Sequence, residues 1–571
     1  MKNQFVADTL YMIADLLDLK GDLFFKTRAY RMAAQTIEAL DEDIENRVRQ
    51  GTLESIPGIG EALAKKITEL VKTGKLEYLE RLKKEVPTGL IDLLGIPGLG
   101  PKKVAALYKN LGITSIQDLR TAATDGELRT LEGFGEITER NILRGIQLLE
   151  KTSGRVLLNV AYVDSNRYLT YLQKCKKISK INIAGSLRRM KETIGDLDIL
   201  TSSTDPEAVM DHFVQYPEVA EILAKGTTKS SVLLNDDLQV DLRVVEEKSY
   251  GAALQYFTGS KEHNVTLRGF AIKKGFKLNE YGLFDKNTEE YIAGKTEEEI
   301  YKKIGMSYIE PELRENRGEF EAAKNKTLPT LVKYDEINGD FHVHSIWSDG
   351  SDSIETIVAT AHQRRYGFIG ITDHSQSLKI ANGLTEERVQ KKIHEIKKVN
   401  KKYPDLRIFC GTECDIKIDG TLDYSKKILQ QFDFVYIGIH TAFKMDKETM
   451  TKRIIRGMDN EQVNFLAHPT GRLIGKRDPY EVDIEQIIDT ARETDTRLEI
   501  NSFPDRLDLD DVHVKQAKDH NVRFVLGTDS HSINHLDFMR FGVATARRGW
   551  LEKKDILNTS SVQEIEKLIG T

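Results

Sequence analysis

The spacing of apolar positions changes character along the chain. From residue 1 to about 150 apolar residues recur at helical intervals between short turns containing glycine, with few alternating β-branched runs, which predicts an almost wholly helical region. From about 155 to 245 strand-like segments take over, among them Ile181-Asn182-Ile183-Ala184, Leu197-Asp198-Ile199-Leu200 and Val240-Asp241-Leu242-Arg243-Val244, and these predict a mixed sheet. Helical spacing returns from Lys248 to about Ile309, broken by a hairpin-like segment near Phe284-Asp285-Lys286-Asn287. Pro311 to Pro329 is charged, poor in large apolar residues, and reads as a linker. After Tyr334, short apolar runs such as Phe368-Ile369-Gly370-Ile371 and Phe434-Val435-Tyr436-Ile437 alternate with amphipathic helical stretches, the pattern of a parallel α/β barrel or layered fold.

Composition narrows this picture. A chain of 571 residues exceeds what one hydrophobic core supports, so several domains are expected. With 40% hydrophobic and 30% charged residues and no apolar stretch of bilayer-spanning length, a membrane protein is not expected. Asp8, Asp15 and Asp18 within the first twenty residues fit neither a secretory signal nor an acid-poor transit peptide, and the expected compartment is the cytoplasm. Three cysteines, Cys175, Cys410 and Cys414, can build neither a disulfide framework nor a four-thiolate zinc site, so any metal needs other ligands. The net charge of -6 argues against coating nucleic acid by bulk positive charge but leaves room for local basic clusters.

Three turns in the helical region share a form: Gly58-Ile59-Gly60, Gly98-Leu99-Gly100 and Gly133-Phe134-Gly135, the first two preceded by Pro57 and Pro97. A Gly-x-Gly turn lets backbone approach a ligand and aims amide N–H groups at an anion, phosphate above all; the alternative is that glycine merely closes helices. Lys65 and Lys66 follow the first turn, and Lys102 and Lys103 the second. These two resemble helix-hairpin-helix DNA-binding motifs; the third lacks both proline and following lysines.

In Gly195-Asp196-Leu197-Asp198 two carboxylates share one strand face, and Asp241 on another strand can join them if the strands are neighbours. Three carboxylates suit two hard divalent cations that activate a 3'-hydroxyl and stabilise departing pyrophosphate; the alternative is a chance pair of exposed acids. Upstream, Ala184-Gly185-Ser186-Leu187-Arg188-Arg189 offers close backbone approach, a hydroxyl and guanidinium donors suited to a triphosphate.

Here the sequence resembles the family X DNA polymerases, within the nucleotidyltransferase group that shares Gly-Ser followed by Asp-x-Asp. The resemblance covers residues 1 to about 315. It implies Asp196, Asp198 and Asp241 as ligands of two Mg or Mn ions, and Ser186, Arg189 and Gly195 at the phosphates of a dNTP, with Arg188 an equal candidate. Tyr256-Phe257-Thr258-Gly259-Ser260 matches the run that shapes the sugar pocket in that family, placing Tyr256, Phe257 and Gly259 at the nucleotide, and Asn264 and Arg268 match its minor-groove positions. Ordinary core packing is the alternative for the Tyr-Phe pair. Lys66 stands where the family can carry a Schiff-base lysine of a 5'-deoxyribose phosphate lyase, with Lys26 and Tyr30 keeping the pattern, whereas Ala62 and Phe25 replace a lysine and a phosphate-binding histidine. A solvated Lys66 touching backbone phosphate is the other reading.

Eleven of the thirteen histidines follow Tyr334, many of them beside Asp or Gly at strand ends. His342 and His344 share one strand face, Asp349 follows, and Thr372-Asp373-His374, Gly411-Thr412-Glu413, Gly438-Ile439-His440, Ala467-His468-Pro469 and Thr528-Asp529-Ser530-His531 each end an apolar run. In a parallel barrel such ends converge on one mouth, and mixed imidazole and carboxylate ligands suit Mn, Zn or Fe. The series resembles the polymerase and histidinol phosphatase (PHP) phosphoesterases from about Tyr334 to Thr571. It implies His342, His344, Asp349, His374, Glu413, His440, His468, Asp529 and His531 around as many as three Mn, Zn or Fe ions. His362, His394, His513, His520 and His535 are expected at the surface, and Arg472 and Arg506 are candidates for clamping a scissile phosphate.

Taken together, the expectation is a multidomain chain: helical helix-hairpin-helix domains over 1–85 (lyase-like) and 86–152 (fingers-like), an α+β nucleotidyltransferase palm over 153–245 and thumb over 246–315, a linker over 316–333, and a distorted α/β barrel of (βα)7 type over 334–571. The implied function is gap-filling synthesis on gapped or primer-template DNA in base-excision repair, with a Mn-dependent 3'-5' exonuclease in the barrel, to which abasic-site endonuclease or 3'-phosphatase action can be added, in a monomer. The competing readings are a small-molecule phosphatase tethered to a DNA-binding module and a non-enzymatic DNA-end scaffold.

Overall fold

The computed structural model describes residues 2–20, 24–38, 44–56, 58–96, 99–152 and 154–569. The chain divides into two compact units, one of residues 1–153 with 475–477, the other of residues 154–474 and 478–571.

The first unit is helical, as its periodicity predicts. Its core is built from one face of each helix, including Leu10, Ile13 and Leu17 of Lys2–Leu19, Ile67 and Leu70 of Glu61–Thr73, and Val104 and Leu107 of Pro101–Leu111. Glycine punctuates it: Gly74 and Gly112 end the last two of these helices in the left-handed conformation, each donating its N–H to a carbonyl four residues back.

In the second unit, five strands form the expected palm sheet in the spatial order Ile178–Ile183, Asp196–Ser203, Gln239–Val245, Lys229–Leu234, Val219–Lys225. Asp196–Ser203 and Gln239–Val245 run parallel, with Leu197, Ile199, Val240 and Leu242 buried beneath. The thumb follows, with helices Tyr250–Thr258, Lys261–Lys273 and Glu297–Ile304 and a three-stranded antiparallel sheet over Phe276–Ala293. The segment read as a linker is instead folded: helix Glu319–Asn325 buries Phe320 and Ala323 in the thumb core. Its charges misled because they are satisfied internally, Glu319 accepting from the N–H groups of Asn316 and Arg317.

Beyond residue 339 seven parallel strands follow one another in sequence order, Gly339–Val343, Phe368–Ile371, Arg407–Asp415, Phe434–Gly438, Phe465–Leu466, Arg497–Asn501 and Phe524–Gly527. Val343 bridges to Ser530, the His344 N–H donates to the Ser530 carbonyl at 2.8 Å, and the barrel is thereby nearly closed. Phe341, Phe368, Phe409, Phe434, Tyr436 and Phe465 pack together in it. Gly370 and Gly411 make room: a Cβ on either would stand 2.7 or 2.4 Å from the Phe434 ring. Among the described residues no helix is long and apolar enough to cross a membrane.

Candidate functional site: two carboxylate and imidazole centres

In the helical unit Gly58 takes a φ of +84° and Gly60 caps helix Glu61–Thr73, while Gly100 caps Pro101–Leu111. Gly98 lies outside the described residues, as do the Phe25 side chain and its surroundings. A Cβ on Gly58, Gly60 or Gly100 would meet nothing within 4 Å, so their glycines keep backbone accessible rather than relieve crowding. Lys65 pairs with Glu61 at 2.7 Å, and Lys102 is exposed beside Lys103. The third turn repeats the geometry, with Gly133 at a φ of +81° and Gly135 directly before helix Glu136–Thr152. Lys66 lies 4.8 Å from the Tyr78 ring and 5.8 Å from that of Tyr30, with Lys26 at 5.9 Å from Tyr78. Lys66, Tyr30 and Lys26 are thus neighbours, around an aromatic partner, Tyr78, that no motif marked.

In the palm, register puts Asp198 opposite Asp241 and Asp196 opposite Gln239. Burial, then the nearness of Asp196 and Asp241, pushes the Asp198 carboxyl up to about 7. Asp241 is held low in spite of its burial by Lys229, 2.5 Å away, and by hydrogen bonds from Gln239 and Ser231. Such crowded acids are the donor set for hard divalent cations, whose charge would offset the repulsion that raises Asp198. Gly185 explains itself: its φ is +60° and a Cβ there would fall 2.2 Å from the nearer Asp198 oxygen. Ser186 follows it in the short helix Gly185–Arg188, and a Cβ on Gly195 would meet Arg155 at 3.0 Å.

The two arginines have different fates. Arg188 makes a forked pair with Glu297, at 2.9 and 2.6 Å, and donates to the Thr258 hydroxyl, so it clamps palm to thumb. Arg189 reaches Glu315 at 3.1 Å and the Thr258 carbonyl at 2.5 Å, and lies 3.2 Å from where a Cβ on Gly259 would be. Tyr256 and Phe257 meet edge to face, Arg243 covers the Phe257 ring at 4.2 Å, and the Tyr256 carbonyl accepts from Asn264, whose own carbonyl accepts from Arg268. Arg188 and Arg189 thus meet the thumb at Thr258 and Gly259, and Asn264 ties Tyr256 to Arg268.

The barrel gathers its candidate ligands more tightly. Among the described residues, three groups place their ligand atoms within 4.8 Å of one another: His344, Asp349, His374 and His531; His342, His344 and Asp529; His374, Glu413 and His440. Glu413 is the hub, with nitrogens of His342, His344, His374, His440 and His468 at 3.4, 3.5, 3.0, 3.0 and 2.8 Å. All nine expected residues are in this one place. His342 Nε2, both nitrogens of His344 and His374 Nδ1 are buried without a hydrogen-bond partner, an arrangement that fits metal ions, because buried polar atoms are otherwise paired. Against the cost of burial, Glu413 and Asp415 hold His440 up to about 10, and Asp349 and Asp529 hold His531 up to about 9; burial takes His374 down to about 3.

Carboxylates behind the imidazoles fix their orientation, and the sequence reading missed them. Glu499 meets His342 Nδ1 at 2.6 Å and Asp415 meets His440 Nδ1 at 2.6 Å. Their signal was present as acids inside the apolar strands Arg497–Asn501 and Arg407–Asp415. Arg506 stands 3.4 Å from Asp529, at the cluster. Arg472 does not serve there: it is engaged by Glu192 of the palm and by the carbonyls of Arg506 and Leu507. His535 is not a plain surface residue either, since its Nδ1 accepts from the N–H of His531.

Comparison with known proteins agrees with this division. Residues 1–76 match the helix-hairpin-helix domain, 90–147 the SAM-like helix-hairpin-helix tandem, 253–315 the DNA polymerase beta thumb and 340–502 the PHP domain. The DNA polymerase/3'-5' exonuclease PolX of Bacillus subtilis (strain 168) is 39% identical over 562 residues, 98% of either chain. DNA polymerase lambda of Rattus norvegicus is 23% identical over 55% of this chain and 56% of its own, and that of Arabidopsis thaliana 27% identical over 50% and 57%. With a polymerase thumb, tandem hairpin domains, a PHP barrel and a relative alike from end to end, the chain belongs to the family X DNA polymerases that carry a carboxyl-terminal PHP domain.

Proposed function

We propose that this chain fills short gaps in DNA by templated addition of dNTPs and trims 3'-ends with a separate 3'-5' exonuclease, as a monomer in the cytoplasm acting in base-excision repair. One observation supports this most: two acid-rich centres stand on two different sheets of the same unit, Asp198 opposite Asp241 in the palm and, in the barrel, Glu413 with the eight other His and Asp side chains gathered about it. Two Mg or Mn ions in the first, and as many as three Mn, Zn or Fe ions in the second, would activate the attacking oxygen and neutralise charge on phosphate. The chain's own residues do the rest. Asp196, Asp198 and Asp241 would hold the palm ions; Ser186, Arg189 and Gly195 would bind the triphosphate; Tyr256, Phe257 and Gly259 would shape the sugar pocket; and Asn264 and Arg268 would face the minor groove. Glu499 and Asp415, meeting Nδ1 of His342 and His440, would orient those rings so that Nε2 faces a bound ion, and Arg506 is placed to meet a phosphate beside Asp529.

In the helical unit, Gly58, Gly60, Gly98, Gly100, Lys65, Lys102 and Lys103 would contact DNA backbone, and Lys66 would carry the lyase function, supported by its nearness to Tyr30 and Lys26. Domain limits of 1–85, 86–152, 153–245 and 246–315 follow, with the barrel from 334. A gapped primer-template with dNTPs and Mn, assayed beside histidinol phosphate, tests the whole: primer extension and 3'-end loss with no release of phosphate from histidinol phosphate is the expected result, and the reverse pattern refutes it. Incision at an abasic site is assayed on the same preparation.

A further inference from the structure

Palm and barrel meet across a charged seam that reaches Arg189. Helix Met539–Arg548 of the barrel domain lies against the palm: Phe541 enters the palm core, and Arg540 stands 4.5 Å from the Tyr162 ring. At the end of that helix Arg548 is only 3% exposed. Its Nη1 donates to the main-chain carbonyl of Arg189 at 2.6 Å and lies 3.0 Å from Glu315 Oε1, while its Nη2 lies 2.6 Å from Asp511. Arg189 Nε approaches that same Glu315 oxygen at 3.1 Å. One carboxylate is therefore shared by an arginine of the palm and an arginine of the barrel.

A buried guanidinium is tolerated only when its charge and donors are met, so this seat is built, not incidental. Asp511 has a second partner in Arg317 at 2.6 Å. Burial would raise the Glu315 carboxyl, yet Arg548, Arg189 and Lys191 together hold it low. Three residues past Arg189, Arg472 of the barrel holds Glu192 at 2.7 Å. The segment expected to bind triphosphate is thus gripped at both Arg189 and Glu192 by a domain whose own chemistry lies elsewhere.

We propose that Arg548 is a positioning residue for nucleotide addition: it fixes the main chain of Arg189 and neutralises Glu315, so that the Arg189 guanidinium can leave Glu315 for the phosphates of an incoming nucleotide. This rests on the assignment of Arg189 to those phosphates. If Arg548 is lost, Glu315 keeps Arg189 as its nearest guanidinium and holds it back, and the Arg189 carbonyl loses its donor. The barrel domain would then serve synthesis as a wall, whatever its hydrolytic centre does.

Single-nucleotide insertion by the full chain on a one-nucleotide gap tests this, with 3'-end degradation measured alongside as a control for folding. Arg548→Ala should raise the KM for dNTP about tenfold, change kcat less, and leave 3'-end degradation at the parental rate. Adding Glu315→Gln to Arg548→Ala should return KM toward that of Glu315→Gln alone, because the competing anion is gone; a merely structural arginine would show no such rescue. Arg189→Ala is the reference. If it raises KM while Arg548→Ala does not, the positioning role is overturned and the phosphate assignment stands; if neither raises KM, both fall. Should Arg548→Ala fail to fold, Arg548→Gln, which keeps a donor for the Arg189 carbonyl without the charge, decides by the same measure: raised KM with rescue supports the role, and unchanged KM overturns it.

Discussion

The ammonium of Lys392 lies 2.8 Å from Asp373, and both side chains are closed to solvent. The same nitrogen donates to the carbonyls of Ile371 and Gly411, and Asp373 accepts from Ser345 and Ser348, so one buried pair braces the strand ends that present His344, His374 and Glu413. Lys392→Met would leave Asp373 as a buried charge without its cation and should cost about 3–5 kcal/mol. Asp373→Asn added to Lys392→Met should recover most of that. Urea unfolding of the variants measures both; a single variant as stable as the parent contradicts the brace.

His263 in the thumb gives a pH signature. Glu319 can only accept, so the Nδ1–H of His263 donates to it at 2.9 Å and Nε2 accepts from the Tyr301 hydroxyl at 2.8 Å. Burial, helped by the charges of Arg314 and Arg189, lowers His263 from 6.5 to about 4 in spite of Glu319. Between those values the unfolded chain binds the extra proton, so the contribution is complete above pH 6.5 and is lost as pH falls toward 4, amounting to about 2 kcal/mol by pH 5. The slope of thumb stability between pH 6.5 and 4.5 should be shallower in His263→Phe; equal slopes would contradict the assignment.

Metal binding should be visible as stability. A ligand at about one hundred times its Kd stabilises by about 2.7 kcal/mol, so returning Mn to chelator-treated protein should raise the thermal midpoint of the barrel. Glu413→Gln, which weakens the hub that five imidazoles face, should lose most of that rise, whereas Asp198→Ala should keep it. A full rise in Glu413→Gln would show that the cations bind elsewhere.

That nine His, Asp and Glu side chains of the barrel would come together was legible because most of them close an apolar run, and strand parity told that His342 and His344 share a face. What was not legible depends on contacts between distant segments. Nothing local distinguishes Arg188, which holds Glu297, from Arg189, or marks Arg472 as a tie to Glu192 instead of a phosphate clamp. Glu499 and Asp415 read as isolated acids until the barrel closes and sets an imidazole against each. The stretch after Pro311 looked like a linker because its charges are many, yet Arg314 is buried against Glu297, and Glu319 is buried, accepting from the N–H groups of Asn316 and Arg317.

Synthesis and 3'-end trimming are assigned to two independent centres in one chain. The direct test is a gapped primer-template with dNTPs and Mn, followed for extension and for 3'-end loss in the parent, in Asp198→Ala, and in His344→Ala with His374→Ala. Asp198→Ala should lose extension and keep 3'-end degradation, and the histidine pair should do the opposite. Folded variants that lose both activities together, or a histidine pair that still degrades 3'-ends at the parental rate, would contradict it.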